Sequence, residues 1–441
     1  MTTAIIDLND SEIRLATQGN ILVRQPGYAV LQTDAVLTGD EALGIARSNP
    51  RATYNRYWSQ LSQDSLVVPS HLVRHHADLA YAQLLALHEQ AGKPEEVVFA
   101  LPGNYTREQL ALLLGIAQAC PFTAVGLVDA ATACVSAIAD SGSYNHIDIH
   151  LHYALITSLE VTDQVSRTSY RIIDDAGTTD IYETCAAYMA DQFVDQARFD
   201  PLHHAETEQF LYDQIPIALG SVQAADEVML EINYKNKRYQ ARIFRDALLE
   251  KLKRHYERIY REVSGQSISL ISDRLHALPG FTDKLDNAVI LDEHAVFKGC
   301  NINLHKIRTA GPSLSFITSL PSAQTPQVPR VRPGQTPSMP AASPQASSTA
   351  THILINHRAS ALTSQLIYVS ADGTLVNGQT DRPRHCSFRL GTQGALVSPE
   401  SELTVFLNGH RLTTVRPALT GDAISFAGSD TIIRLIEVAS G

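Results

Sequence analysis

Between Pro312 and Ala350 the chain reads PSLSFITSLPSAQTPQVPRVRPGQTPSMPAASPQASSTA. Proline, serine, threonine and glutamine dominate this stretch, and it offers too little apolar surface to offset the entropy of ordering it. One globular core cannot run through it. It predicts a flexible, partly polyproline-like tether over 312–350, separating a domain at 1–311 from another at 351–441. The PxxP-like pieces between Pro326 and Pro333 fit a spacer, or less commonly a segment read by a proline-binding groove. The 441 residues suit two or three domains at ~100–200 residues each.

Charge is uneven across that cut. The tail's seven arginines balance its seven acidic residues, and the tether adds Arg330 and Arg332. A net charge of −11 for the chain therefore leaves −13 on residues 1–311. No overall basic field exists for nucleic acid. No run approaches the ~18 apolar residues of a membrane helix, which predicts no membrane span. The opening MTTAIIDLND has no basic segment before an apolar one, so no secretory leader is expected. Cys120, Cys134, Cys185, Cys300 and Cys386 lie far apart with no CxxC spacing, which fits a reducing compartment rather than a disulfide or zinc framework. The expected location is the cytoplasm.

Apolar periodicity alternates along 1–311. Thr3–Leu8 and Glu12–Ala16 read as strands, His71–Gln90 as a helix, and EVVFALPG as a buried strand stopped at Pro102–Gly103. Thr106 stands three residues before Gln109, the spacing of a capping box, so Thr106–Ala119 is helical. A short strand at Gly126–Asp129 precedes a helix at Ala130–Ala139. IDIHLHYALITSLEV and YKNKRYQARIF each read as strand, Ile181–Ala197 and Arg245–Val263 as helices, ISLIS as a strand, and PGFTDKL as the start of another helix. Such alternation predicts an α/β fold.

The order of these segments resembles the actin-like ATPase superfamily, which includes actin, DnaK-type heat-shock chaperones, and the bacterial cell-division and pilus actin homologues. AIIDLNDSEIRLA is similar to that family's first phosphate hairpin, I-D-L-G-T. EEVVFALPGNYTREQLALLLGIAQACPFTAVGLVDAATACVSAIA is similar to the stretch from V-P-x-x-x-x-x-x-Q-R to N-E-P-x-A-A-A. HIDIHLHYALITSLEV falls where the second hairpin, D-I-G-G-G-T, would lie; GTTDIYETCAAYMADQF and LISDRLHALPGFTDKL fall on the following helix and the adenosine loop. The resemblance implies two lobes built on duplicated ribonuclease-H-like cores.

It also implies a nucleotide site that this chain has eroded. Glycines let backbone N–H groups approach phosphate oxygens. Here Asn9, which tolerates a left-handed backbone, takes the first hairpin's glycine position. His150, Leu151 and His152 replace the second hairpin's glycines, Asp273, Arg274 and Leu275 replace those of the adenosine loop, and Pro216 stands where the family's adenine-contacting lysine would be. By the resemblance, Asp7, Asp129 and Asp148 are vestigial catalytic carboxylates around Mg²⁺, with Asp7, Asn9, Asp148, Gly177, Asp180 and Asp273 at cofactor-contacting positions. No cofactor is expected, with Mg-ATP the one implied if the clasp still works.

Independently of any family, His146, Asp148, His150 and His152 recur every second residue. On one extended strand they would share a face, and His146, His150 and His152 could ligate Zn²⁺ or Fe²⁺. A polar face without metal is the plainer reading. His71, His75 and His76 fit a solvated helix face, and His203–His204 a loop.

The tail reads as short strands punctuated by Asp372–Gly373, Asn377–Gly378, Asn408–Gly409 and Gly421–Asp422, the pattern of a β-sandwich. TVFLNGHRLTTVRPALTGDAISFAGSDTIIRLIEV resembles the end of a forkhead-associated domain. Arg389–Leu390–Gly391 and Ser398–Pro399–Glu400–Ser401 are the nearest material to that family's phosphothreonine-reading elements. Together these features predict a pseudo-ATPase body carrying a tethered interaction module: an adaptor or scaffold for other proteins, rather than an enzyme. An active Mg-ATPase switch, a metal protein using the histidine strand, and self-assembly into oligomers or filaments remain the other readings.

Overall fold

The computed structural model divides the chain into two compact units, Met1–Arg330 and Val331–Gly441. It describes residues 3–322 except 69, 264–266, 286–287 and 310–313. In the tail it describes 351–436 except 356–357, 364–365, 371–373, 377–383, 392–393, 401–404, 408–409, 413–414, 419–421, 428 and 430. Ten α-helices lie among these residues, and the chain is mixed α/β.

The first unit contains two six-stranded sheets. One begins with the antiparallel run β1 (Thr3–Asp7), β2 (Ile13–Thr17) and β3 (Asn20–Gln25). A three-stranded flap of β4 (Ala29–Leu31), β5 (Val36–Thr38) and β6 (Thr53–Tyr54), with helix α1 (Gly39–Leu43), follows. After α2 (His76–Gln90), β7 (Glu96–Leu101) returns parallel to β1. Past α3 (Arg107–Ala119), β8 (Thr123–Asp129) adds parallel to β7.

Helix α4 (Ala130–Ser136) leads into the second sheet. There β9 (Gly142–Ile149), β10 (Tyr153–Val161) and β11 (Gln164–Asp174) run antiparallel. Helices α5 (Thr178–Ala197) and α6 (Ala205–Val222), a hairpin of β12 (Glu227–Tyr234) and β13 (Lys237–Phe244), and α7 (Arg245–Glu262) come next. Then β14 (Ile268–Ile271) joins parallel to β9, and beyond α8 (Asp273–His276) β15 (Ala288–Ile290) joins parallel to β14. Helices α9 (Ala295–Ile302) and α10 (Leu304–Ile307) follow. The two sheets thus repeat one order: three antiparallel strands, then two parallel ones beside the first.

Local sequence explains several boundaries. Thr106 Oγ1 accepts from Gln109 N–H at 3.2 Å while Gln109 Oε1 accepts from Thr106 N–H at 3.0 Å, so the capping box forms at the residues its spacing indicates. Other expectations are corrected. IDIHLHYALITSLEV is two strands joined at His150–His152, and YKNKRYQARIF turns at Lys235–Asn236, both with positive φ. PGFTDKL gives only a 3₁₀ turn at Thr282–Lys284, and α2 starts at His76 rather than His71.

The expected boundary at 312 also moves. Phe316–Ile317 (β16) lies parallel to β8 in the first sheet, while Ser319–Pro321 (β17) lies antiparallel to β11 in the second. Between them, Thr318 O accepts from Arg167 N–H at 3.0 Å. This strap, which composition assigned to the tether, joins the two sheets. Composition fails here because backbone ladder bonds do not depend on side-chain type.

Among the tail's described residues, eleven strands form two sheets. One runs β19 (Arg358–Ala361), β18 (His352–Ile355), β28 (Ile432–Ile436), β27 (Ala423–Phe426), β24 (Val405–Leu407), β25 (His410–Leu412). The other runs β21 (Leu375–Val376), β20 (Ile367–Val369), β22 (Cys386–Gly391), β23 (Gly394–Pro399), β26 (Arg416–Ala418). Ile353, Phe388, Val397, Ile424 and Leu435, from both sheets, are buried in one cluster. Arg389 is exposed on β22 and Ser398 partly buried on β23; Ser401 lies outside the described residues.

Candidate functional site

The hairpin between β1 and β2 and the hairpin between β9 and β10 meet in the first unit, and side chains fill the space between them. Asp7 ends β1 and Asp148 lies near the end of β9. From α8, Arg274 Nη2 donates to Asp7 Oδ2 at 2.6 Å and to Glu12 O at 2.9 Å, and its Nη1 lies 3.7 Å from Asp148 Oδ2. Burial works against these charges, but the groups neutralise one another. Asp7, Asp148 and Asp273 hold the Arg274 pKa above its usual value. Arg274, then His150 and His146, pull the Asp148 carboxyl well below the usual carboxylate range.

The rest of the space is equally committed. Asn9 Nδ2 donates to Asp148 Oδ2 at 2.9 Å and to Ile149 O at 3.0 Å, while Asn9 Oδ1 accepts from Ser11 N–H at 2.9 Å. No residue from Asp7 to Arg14 has positive φ, so Asn9 is not there for backbone tolerance; its amide ties the hairpins together. Asp10 Oδ1 accepts from Leu151 N–H at 2.9 Å and faces His150 Nδ1 at 3.2 Å. Asp273 takes a two-pronged bond from Arg14, at 2.6 and 3.1 Å. What remains among Asp7, Asn9, Gly103, His146, Asp148 and His150 is a cavity of about 20 Å³, room for a water molecule.

Asp129 stands apart from the other two carboxylates' partner, Arg274. Its Oδ1 caps α4 by accepting from Thr132 N–H and Oγ1 at 2.8 and 2.9 Å, and its Oδ2 accepts from Arg167 Nη1 at 2.7 Å. Gly177 is the N-cap of α5, and Asp180 Oδ2 accepts its N–H at 3.1 Å. A Cβ on Gly177 would lie 2.4 Å from the carbonyl carbon of His152, so the helix start is pressed onto the second hairpin. Thr178 and Thr179 N–H groups donate to His150 O and Leu151 O, both at 2.9 Å. The helix N-terminus, elsewhere an anion site, is thereby engaged by the hairpin's own carbonyls.

The shared histidine face is corrected. Strand β9 ends at Ile149, so the two-residue alternation stops before His150. The His150 ring stacks on Tyr153 with centroids 4.6 Å apart, and His152 Nε2 lies 3.0 Å from Asn55 O. His146 remains on β9 beside Asp148, where burial above all lowers its pKa. Among the described residues no group of three or more His, Cys, Asp or Glu is arranged to hold a metal ion.

Sequence reasoning missed the arginines. Arg274 registered only as a lost glycine, and Arg14 and Arg167 not at all. The available signal was the pairing of retained acidic positions with a cation at a position that resemblance assigns to glycine.

A second, larger space of about 260 Å³ lies alongside, between the flap and helices α5 and α6. Among the described residues no helix is long and apolar enough to cross a membrane. The chain matches no protein-family model and has no significant match among curated proteins.

Proposed function

We propose that the first unit is an actin/DnaK-type body whose nucleotide cleft is closed by its own side chains, and that the protein is an adaptor or scaffold rather than an ATPase. The repeated sheet order supports the two-lobed, duplicated core, and the strap at 316–321 supports a body with restrained lobes. The observation that carries the loss of nucleotide is Arg274 seated between Asp7 and Asp148. A guanidinium there stands where the resemblance puts a divalent cation, and the remaining cavity of about 20 Å³ leaves room for little more than water. The residues present do not fit Mg-ATP.

The six-plus-five strand arrangement around one buried cluster supports reading the tail as a β-sandwich of the forkhead-associated kind. Two modules in one chain let a first contact raise the effective concentration of the second. The partners of such a scaffold are proteins.

Calorimetry of the full chain with ATP or ADP and Mg²⁺ tests this reading. No binding at millimolar nucleotide is the expected result. Micromolar binding would overturn it and make the body a nucleotide switch.

A further inference from the structure

The 260 Å³ pocket has a chemistry of its own. Its walls come from separate segments: Tyr28 and Leu43 from the flap, Leu151 from the second hairpin, Tyr182 from α5, and Tyr212 and Pro216 from α6. Tyr28 and Leu151 are buried, whereas Leu43 is 38 % exposed at the rim. Gln209 of α6 joins the sides, donating from Nε2 to Leu43 O at 3.0 Å and accepting from Arg47 N–H at 2.8 Å. Rings and aliphatic groups dominate such a surface and suit the faces of a planar molecule.

The pocket's charged groups are already paired. The lining carries one cation, Arg47, and one carboxylate, Asp213. The Arg47 guanidinium lies over the Tyr212 ring, 3.5 Å from its centroid, and 3.7 Å from Glu208 Oε1. Asp213 Oδ1 accepts from Gln209 Nε2 at 2.8 Å. The N–H groups of Thr178 and Thr179 point to hairpin carbonyls. An anion entering would give up its hydration and find these donors already engaged, and a cation would exchange its hydration for carboxylates already bonded to Gln209 and Arg47.

We propose that this pocket is a binding site for a small uncharged aromatic or heteroaromatic molecule. Because its walls belong to segments that follow both sheets, an occupant ties the flap to α5 and α6. Leu151 and Pro216, which the resemblance sets at a phosphate hairpin and an adenine contact, line this pocket, yet it offers ring faces without free phosphate donors.

The test uses the full chain with indole as the probe, read by ligand-observed NMR and calorimetry. Indole binds with roughly millimolar or tighter affinity, as expected for so small a ligand. Indole-3-acetate, which adds a carboxylate, binds at least about tenfold more weakly. Leu43→Trp, at the half-exposed rim, fills the mouth and weakens indole at least about tenfold with an unchanged thermal midpoint. Ala46→Phe, deeper in the wall, gives the same loss. Failure of indole to bind the wild type overturns the proposal, as does undiminished binding in both variants. Equal or tighter binding of indole-3-acetate overturns the uncharged class. Displacement of indole by Mg-ATP would overturn the site's independence and assign it to a nucleotide.

Discussion

The two hairpins of the first unit occupy equivalent places in two sheets of the same strand order, yet they meet through different chemistry. The hairpin after β1 works with side chains: Asn9, Asp10 and Ser11 reach across to the other sheet. The hairpin after β9 answers mostly with backbone, offering Ile149 O and Leu151 N–H to the first hairpin and His150 O and Leu151 O to α5. The second hairpin's backbone is turned toward the protein, its carbonyls and N–H groups bonded to the first hairpin and to α5. Each hairpin binds the other, with Arg274 as the counterion between them.

Removing the counterion is the most severe way to break this arrangement. Arg274→Ala leaves Asp7, buried, and Asp148, partly buried, without their cation, and urea unfolding of the full chain loses about 3–5 kcal/mol from the first unit's transition. A loss below about 1 kcal/mol would mean the carboxylates find another partner. Gly177→Ala tests the backbone side. Its Cβ meets the second hairpin's main chain at 2.4–2.5 Å, and displacing it costs about 1–3 kcal/mol.

Asn9→Gly sharpens the contrast by restoring the glycine that the family resemblance calls for. It removes the amide bridging Asp148 and Ile149 O, so stability falls by about 1–2 kcal/mol, and calorimetry detects no gain in ATP affinity. Gain of micromolar ATP binding would show that Asn9 alone blocks the cleft.

Acid has the smallest effect near neutrality. The pKa of His146 is lowered by burial, and that of His152 by burial and then Arg56, so the unfolded chain binds more protons. Stability from these groups is present above about pH 6.5 and declines as pH falls below it. Asp148, also lowered, contributes stability that is present above about pH 4 and is lost below that. Urea midpoints measured against pH should show both declines, and Asp148→Asn should flatten the lower one.

Particular residues show where sequence reading succeeded. The Thr106–Gln109 box, the strand Glu96–Leu101 and the helix Arg245–Glu262 depend on neighbours within a few positions, and each formed. The break at His150–His152 was hidden because His, Leu and Tyr continue a strand pattern; only pairing of Ala154 with Ile149 reveals the turn. Asp7 and Asp148 were identified as charged positions, but their partner Arg274 lies 267 residues from Asp7 along the chain.

The sequence alone determined a division near the proline-rich stretch, alternation of strands and helices before it, strands after it, and the acidic cast of the body. Those properties follow from local periodicity and composition. Only the tertiary structure decided that the strap at 316–321 belongs to the body, that Asp129 caps a helix while Asp7 and Asp148 share an arginine, and that a ring-lined pocket opens beside the two packed hairpins. Each of these depends on which distant groups desolvate one another, and the energy of a buried charge is set by its neighbours in space rather than in sequence.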